Sequence, residues 1–180
     1  KPNPNLEYLV REYEEFIEKV TDFFVYEKLC KGLKFDTDYL SSKNIEEFSL
    51  FIGKYQQLEN FYDSGYFLSR GINDSNDTGF TIHTNHLDSL IDFLGYKNNG
   101  KNIIINGNVG DGIGEEMKKG TININGNARD NLGCLMQNGK ITIKGNSGDW
   151  VGWLMKNGNI TINGNVEHAI GQLMVNGTIH

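Results

Sequence analysis

The C-terminal part of the chain carries a strict internal repeat of 19 residues, and no other feature limits the possible folds as strongly. Glycine, isoleucine and methionine return at the same place in every copy across residues 101–180. The recurring glycines include Gly107, Gly126, Gly145 and Gly164, and Gly114, Gly133, Gly152 and Gly171. The isoleucines include Ile103, Ile122, Ile141, Ile160 and Ile179, and the methionines are Met117, Met136, Met155 and Met174. Agreement in this many columns predicts one structural unit per copy.

Each copy has two extended segments separated by glycine-rich corners. The I-x-I segment alternates apolar and polar residues, which predicts a half-buried strand. Gly-Asn then supplies the backbone freedom that a corner needs. Nineteen residues fit one coil of a parallel solenoid, with coils stacked about 4.8 Å apart. Identical side chains then form ladders, in which asparagine amides are expected to bond from coil to coil, and the coils are expected to be right-handed.

Two other repeat folds remain open at this point. A leucine-rich repeat also contains an x-I-x-I-x-x-N core, and Ile122-x-Ile124-x-x-Asn127 fits it. The earlier leucine of that motif is missing, however, and nineteen residues is short of the usual repeat length. The third arrangement is a meander of antiparallel hairpins.

The repeat resembles a known glycine-rich domain. The pattern G-x-I-x-I-x-G-N-x-x-D-x-x-G-x-x-M is clearest in residues 139–155. It resembles the glycine-rich (GXGXG) β-helix domain at the C-terminus of the glutamate synthase large subunit and is similar to the glycine-rich subunit of formylmethanofuran dehydrogenase. The resemblance covers residues 101–180 and implies a right-handed β-helix that holds other domains in place without catalytic residues of its own. No flavin, iron–sulfur or amidotransferase region accompanies it, so those enzyme activities do not carry over.

Composition changes sharply near residue 97. All 10 phenylalanines and 8 tyrosines lie at or before Tyr96, whereas both tryptophans lie after it. We therefore predict two units, a mainly α-helical region over residues 1–99 and a glycine-rich parallel β-helix of about four coils over residues 100–180. The fold class is α+β.

The N-terminal unit shows three helical patterns and one short strand. Apolar residues at helical spacing predict a first helix over residues 6–24. A capping box at Asn44 and Glu47 predicts a second helix that extends to Tyr62. Residues 79–84 read as a strand, and a third helix is predicted from Asn85 to Gly95.

Both ends of the predicted solenoid need cover, because an open coil exposes unpaired backbone groups. We expect the N-terminal unit to pack on the first predicted coil, with Ile104 in the contact. The sequence given ends at His180, early in a fifth unit. We expect this open C-terminal coil to pair with a second copy or with another protein.

The best candidate site is a column of acidic residues that ends in a histidine. Its members are Asp111, Asp130, Asp149 and His168. Stacking would bring three carboxylates about 5 Å apart, and a cation such as Ca²⁺ would relieve their repulsion. We favour the structural interpretation, in which each aspartate accepts bonds from backbone amides at its own corner, so neither a metal nor a cofactor is predicted.

Other candidate residues point away from catalysis. His83, His86 and Asp88 could share a zinc ion, but no complete ligand motif is present, and we interpret them as structural or surface residues. Trp153 is expected in an outward column with Glu115, Cys134 and Gln172. An exposed tryptophan favours a contact surface, although Trp150 and Trp153 would equally pack against the N-terminal unit. Nothing marks Cys134 as a nucleophile.

These observations predict a non-catalytic scaffold or protein-interaction module in the cytoplasm. The net charge of -6 argues against nucleic-acid binding, and no apolar run is long enough to span a membrane. Two isolated cysteines indicate a reducing compartment. The alternative function is an accessory subunit of a metabolic enzyme complex of the redox or amidotransferase type. A small enzyme and a carbohydrate-binding solenoid that uses the tryptophans are the remaining classes.

Overall fold

A computed structural model describes residues 3–19 and 32–180 of the protein. The described helical part contains α1 (Pro4–Lys19), α2 (Ser42–Phe51) and α3 (Ser64–Asp74), with short 3₁₀ helices at Thr37–Tyr39, Ile52–Tyr55 and Phe61–Asp63. The predicted end of the first helix, residues 20–24, lies outside the described residues. The second helix differs from the prediction, because Ser41 caps it by accepting a bond from the Asn44 amide and it ends at Phe51.

Helix α3 has no counterpart in the sequence prediction. Its glycines and serines have low helix propensity, so packing rather than propensity maintains it. Gly65 has a specific role here. A Cβ atom at this position would collide with the Asp92 carbonyl oxygen, so glycine allows the helix to approach the solenoid backbone.

Six parallel strands follow and pair in chain order. They are β1 (Gly79–His83), β2 (Asn99–Asn106), β3 (Lys119–Asn125), β4 (Lys140–Ile143), β5 (Asn159–Ile162) and β6 (Thr178–Ile179). We number the coils 1 to 5 after the strands β1 to β5 with which they begin. The predicted α+β fold with a parallel β-solenoid is confirmed, with about five coils rather than four. Parallel pairing excludes the hairpin meander, and no helix of a leucine-rich repeat occurs between residues 79 and 180.

The strand isoleucines stack in register along the solenoid axis. Ile122 pairs with Ile141, which in turn pairs with Ile160 on the next strand. All three are fully buried. Burial of each such side chain is worth about 2 kcal/mol, and stacking supplies it because one coil alone has no second surface against which to bury them.

Coil 1 is the main difference between prediction and structure. The predicted helix over residues 85–95 is wrong, because this segment is the return half of a coil. Strand β1 pairs with β2, with Phe80 opposite Ile103. From Asp92 onward the 19-residue columns hold, since Asp92 precedes Asp111 by 19 positions. The strand of coil 1 does not follow the 19-residue spacing of these columns, so the repeat pattern did not reveal coil 1.

The helical part caps the open edge of coil 1. The Gly95 amide donates to Ser69 Oγ of α3 over 2.8 Å, whereas the equivalent Gly114 amide donates to the Leu94 carbonyl of the preceding coil. The Asp92 amide donates to the Tyr62 carbonyl over 2.9 Å. The helices thus supply the acceptors that a preceding coil would supply.

The predicted packing of the N-terminal unit on the first predicted coil is confirmed, because β1 pairs with β2, but this contact does not bury the side chain of Ile104. This side chain is 42% exposed and lies on the outward side of β2, opposite Thr81 of β1. The helices cover the edge of coil 1, and α3 meets β2 at its first residue, where the Asn99 amide donates to Asn73 Oδ1 over 3.1 Å.

Candidate functional site

The aspartate column forms a continuous hydrogen-bond ladder. Each Oδ1 accepts a bond from the backbone amide of the same position in the next coil. The donor and acceptor pairs are Asp111 to Asp92 (2.8 Å), Asp130 to Asp111 (3.1 Å), Asp149 to Asp130 (2.9 Å) and His168 to Asp149 (2.8 Å). Each aspartate therefore binds the following coil rather than its own corner. Asp92 was missed because coil 1 was not predicted.

The exposed end of this column carries the group best suited to a cation. Ligand atoms of Asp149, Glu167 and His168 lie within 4.8 Å of one another, the one such group among the described residues. Asp111 and Asp130 do not belong to it, and Asp111 instead pairs with Arg129 at 3.6 Å. His168 Nδ1 lies 3.2 Å from Asp149 Oδ1, and the histidine side chain is 83% exposed.

A second ladder follows the asparagine column. The side-chain oxygens of Asn108, Asn127 and Asn146 accept bonds from the backbone amides of Asn127, Asn146 and Asn165 over 2.8–2.9 Å. The predicted bonding from coil to coil is present, but in this column it joins a side chain to a backbone amide. Both ladders commit polar side chains to the architecture rather than to a ligand.

The histidine motif of coil 1 is divided between different neighbours. His83 Nε2 lies 2.9 Å from Glu46 Oε1 of α2. His86 lies beside Gly53, where an added Cβ atom would meet its ring at 3.3 Å. In the described part of the chain, neither histidine joins a three-residue metal-binding group.

Cys134 is buried, which differs from its predicted outward position. Its residue is 5% exposed, and burial, together with Glu115 and Glu116, raises the pKa of the thiol to about 12. The thiol is therefore protonated at neutral pH and unreactive. The return segments alternate residues of positive φ, as at Asn131, Gly133 and Leu135, so the side-chain alternation of an extended strand does not apply there.

Trp150 and Trp153 form an aromatic corner on coil 4. Their ring centroids lie 6.3 Å apart with the planes at 75°. Together with Asp130 and Asn131 of coil 3 they line an open groove of about 360 Å³, which we call the tryptophan groove. Trp150 is 40% exposed.

Trp150 occupies a backbone position that disfavours a large side chain. Its φ is 61°, and the equivalent residues Phe93, Gly112, Asn131 and Ala169 all have positive φ. Glycine and asparagine adopt this conformation most readily, whereas other residues incur about 1–2 kcal/mol. This left-handed position recurs in each coil and is also occupied by Phe93 and Ala169.

Coil 1 contains an equivalent aromatic corner that is filled. Phe93 and Tyr96 precede Trp150 and Trp153 by three repeats. Tyr66 of α3 stacks on Phe93 at 4.3 Å and 23°, and meets Tyr96 edge-on at 4.9 Å and 78°. Tyr66 is only 3% exposed. The corner on coil 4 is bordered by Asp130 and Asn131 instead and is open.

Within residues 3–19 and 32–180, no helix combines the length and the apolar character that crossing a bilayer requires. Comparisons with protein-family models, with curated proteins and with solved structures find no match for this chain. The resemblance of the repeat to glutamate synthase and formylmethanofuran dehydrogenase domains therefore stays a prediction.

Proposed function

We propose that this protein is a non-catalytic interaction module that binds a protein partner through the tryptophan groove. The observation that carries the proposal is the meeting of Trp150 and Trp153, the only tryptophans of the chain, at one exposed corner. Tryptophan is among the residues that contribute most to binding energy at protein interfaces, and it is effective where a rigid scaffold presents it.

The surrounding architecture supports a rigid platform. The aspartate and asparagine ladders tie coil 3 to coil 4 beside the groove. The strand isoleucines below it are fully buried, so the groove is largely formed before a partner binds. A pre-formed site loses little conformational entropy on binding. An accessory-subunit role is the version of this proposal in which the partner is a metabolic enzyme.

Affinity capture with the full chain tests the proposal. Immobilised wild-type protein is compared with Trp150→Ala and Trp153→Ala in extract from the source cells, with bound proteins quantified by mass spectrometry. Leu58→Ala is the matched control, because Leu58 is an apolar side chain that is 45% exposed and lies in the helical part. We expect a defined protein that is retained by wild type and by the control but is reduced at least tenfold by either tryptophan variant.

Two other outcomes have distinct meanings. If all four proteins capture the same set in equal amounts, the groove is not the interaction surface and the proposal is wrong. If the retained protein is this chain itself, light scattering should show a dimer that both tryptophan variants abolish, and the partner is then a second copy.

A further inference from the structure

We infer that the tryptophan groove receives an aromatic side chain of the partner, preferably tyrosine. This inference rests on the proposed function and specifies the chemistry of the partner. It derives from an internal comparison, since the protein fills the equivalent corner of coil 1 with a tyrosine of its own.

The two corners occupy the same positions of the repeat. Phe93 and Trp150 share one column, and both have φ near 60°. Tyr96 and Trp153 share the column three residues later. Because like positions of a solenoid have like backbone geometry, the two corners place an aromatic pair at the same position of the coil.

The contact in coil 1 shows which group fits such a corner. The ring of Tyr66 lies nearly parallel to that of Phe93 and nearly perpendicular to that of Tyr96. The ring planes of Phe93 and Tyr96 are therefore steeply inclined to each other. The ring planes of Trp150 and Trp153 are likewise steeply inclined to each other, at 75°. A planar aromatic ring can contact both rings of such a corner, because it stacks on one and meets the other edge-on. Each such aromatic pair contributes about 0.5–1.5 kcal/mol beyond the burial of its area.

The two corners differ in the segment that precedes them. In coil 1, Tyr66 and Ser69 lie three residues apart on α3, and therefore on one face. Tyr66 fills the corner while Ser69 Oγ accepts the Gly95 amide. In coil 4 the equivalent Gly152 amide already donates to the Leu132 carbonyl over 2.8 Å. Coil 3 therefore occupies at coil 4 the place that α3 occupies at coil 1, and a partner's ring has to enter the groove from the side.

The polar border of the groove favours tyrosine over phenylalanine. Asp130 and Asn131 border the tryptophans, and their carbonyl and carboxylate oxygens accept bonds from a phenol hydroxyl. Asp130 Oδ1 already accepts the Asp149 amide, but a carboxylate has about four lone-pair sites. A sugar stacks best on one flat ring face, whereas two rings at 75° form a corner.

Nuclear magnetic resonance of the full chain tests the inference, because two tryptophans give only two indole N–H signals. The probe is p-cresol, the side chain of tyrosine. We expect both signals to shift together and to saturate at millimolar concentration. The comparison probes are 4-methylcyclohexanol, cellobiose and tetramethylammonium, which represent a non-aromatic ring, a carbohydrate and a cation. We expect each of them to bind at least tenfold more weakly than p-cresol.

Variants locate the binding. Trp153→Leu should weaken p-cresol binding at least tenfold, read from the remaining Trp150 signal, and Trp150→Leu should do so from the Trp153 signal. Leu58→Ala should leave the affinity unchanged. Trp153→Phe keeps an aromatic wall and should retain binding within about threefold, which provides a folded comparison if the leucine variants lose structure.

The inference is overturned if p-cresol binds no better than 4-methylcyclohexanol, or if cellobiose or tetramethylammonium binds more tightly. Should capture of the protein partner still depend on both tryptophans in that case, the proposed function stands and only the aromatic occupant is wrong. If capture is independent of the tryptophans as well, both proposals are wrong.

Discussion

At the residue scale, one glycine column shows how little space the core leaves. Gly133 has φ +65, and a Cβ atom there would lie 2.5 Å from Ile160 Cδ1. A Cβ atom added at Gly114 would likewise lie 2.6 Å from Ile141 Cδ1. The isoleucines of the sheet thus extend across the coil to the opposite backbone, and only glycine satisfies both the conformation and the contact.

We expect Gly133→Ala to lower the free energy of unfolding by about 1–3 kcal/mol, because the added methyl group overpacks the core in a strained conformation. Urea denaturation measures the change. Gly79→Ala is the matched control, since no atom lies within 4 Å of the added methyl group there. Equal stability of the two variants would contradict the glycine–isoleucine contact.

At the element scale, each strand is stabilised by its neighbours rather than by its own sequence. Strand β4 has four residues, of which Ile141 and Ile143 are fully buried. A strand this short gains its stability from side chains stacked on both sides. The return segments contribute the other wall of the core, and ladders of side-chain oxygens to amides join them.

We expect Ile141→Ala to cost about 2–5 kcal/mol, because it opens a cavity in the middle of the isoleucine ladder. Ile104→Ala changes the same side chain at a 42% exposed position, and its effect should stay within about 0.5 kcal/mol. Urea denaturation of both variants checks this contrast, and a similar loss in the two would argue against the stacked register.

The cap on coil 1 depends on Ser69. Its Oγ accepts the Gly95 amide and donates to the Phe93 carbonyl over 3.1 Å. Ser69→Ala leaves both backbone groups buried without this partner, which costs about 1–3 kcal/mol. Hydrogen exchange of the Gly95 amide should accelerate. The Gly114 amide, bonded to the Leu94 carbonyl, is the internal control, and unchanged protection of Gly95 would refute the capping role.

At the scale of the whole molecule, the helical part and the solenoid form one continuous core. Buried residues run from Leu9 of α1 to Ile160 of β5 without interruption. Asp63 is buried at this junction, and Asp92 and Glu115 are half-buried. Burial raises the pKa of Asp63 to about 6, with a smaller contribution from repulsion by Asp92. Burial is also the main cause that raises the pKa of Asp92 to about 6. Burial, followed by repulsion from the Glu116 carboxylate, raises the pKa of Glu115 to about 7.

These shifts predict that the protein is more stable at pH 5 than at pH 8. A raised pKa means that the folded state holds more protons than the unfolded state between the two pKa values. For Asp63 and Asp92 the interval runs from 3.8 to about 6, and stability falls as the pH rises through it. Urea midpoints at pH 5 and pH 8 measure the difference.

The aspartate pair at the junction is the specific source to test. Asp63→Asn removes one titrating group and should reduce the stability difference between pH 5 and pH 8. Asp88→Asn is the control, because Asp88 lies at the surface of coil 1. A wild-type protein that is equally stable at both pH values, or more stable at pH 8, would show that the junction carboxyls do not titrate in this interval.

The spacing of residues by itself determined the solenoid. A period of 19 places identical side chains over one another, and alternation within I-x-I indicates which of them face the core, so the parallel strands and the isoleucine ladder followed from the sequence. The aspartate column followed in the same way. Its interpretation as a corner cap was incomplete, because the distance between coils rather than the local turn selects the amide that each carboxylate reaches.

Only the tertiary structure decided what closes the solenoid and which of its corners stays open. Coil 1 is hidden in the sequence, because its strand lies out of step with the columns and depends on α3 for the acceptors that a preceding coil would provide. The spacing of residues in the sequence does not indicate where Cys134, Ile104 and Tyr66 lie, because their positions depend on backbone conformation and on packing partners. Tyr66 reaches the corner of coil 1 from outside the repeat, and that long-range contact distinguishes the covered aromatic corner from the exposed one.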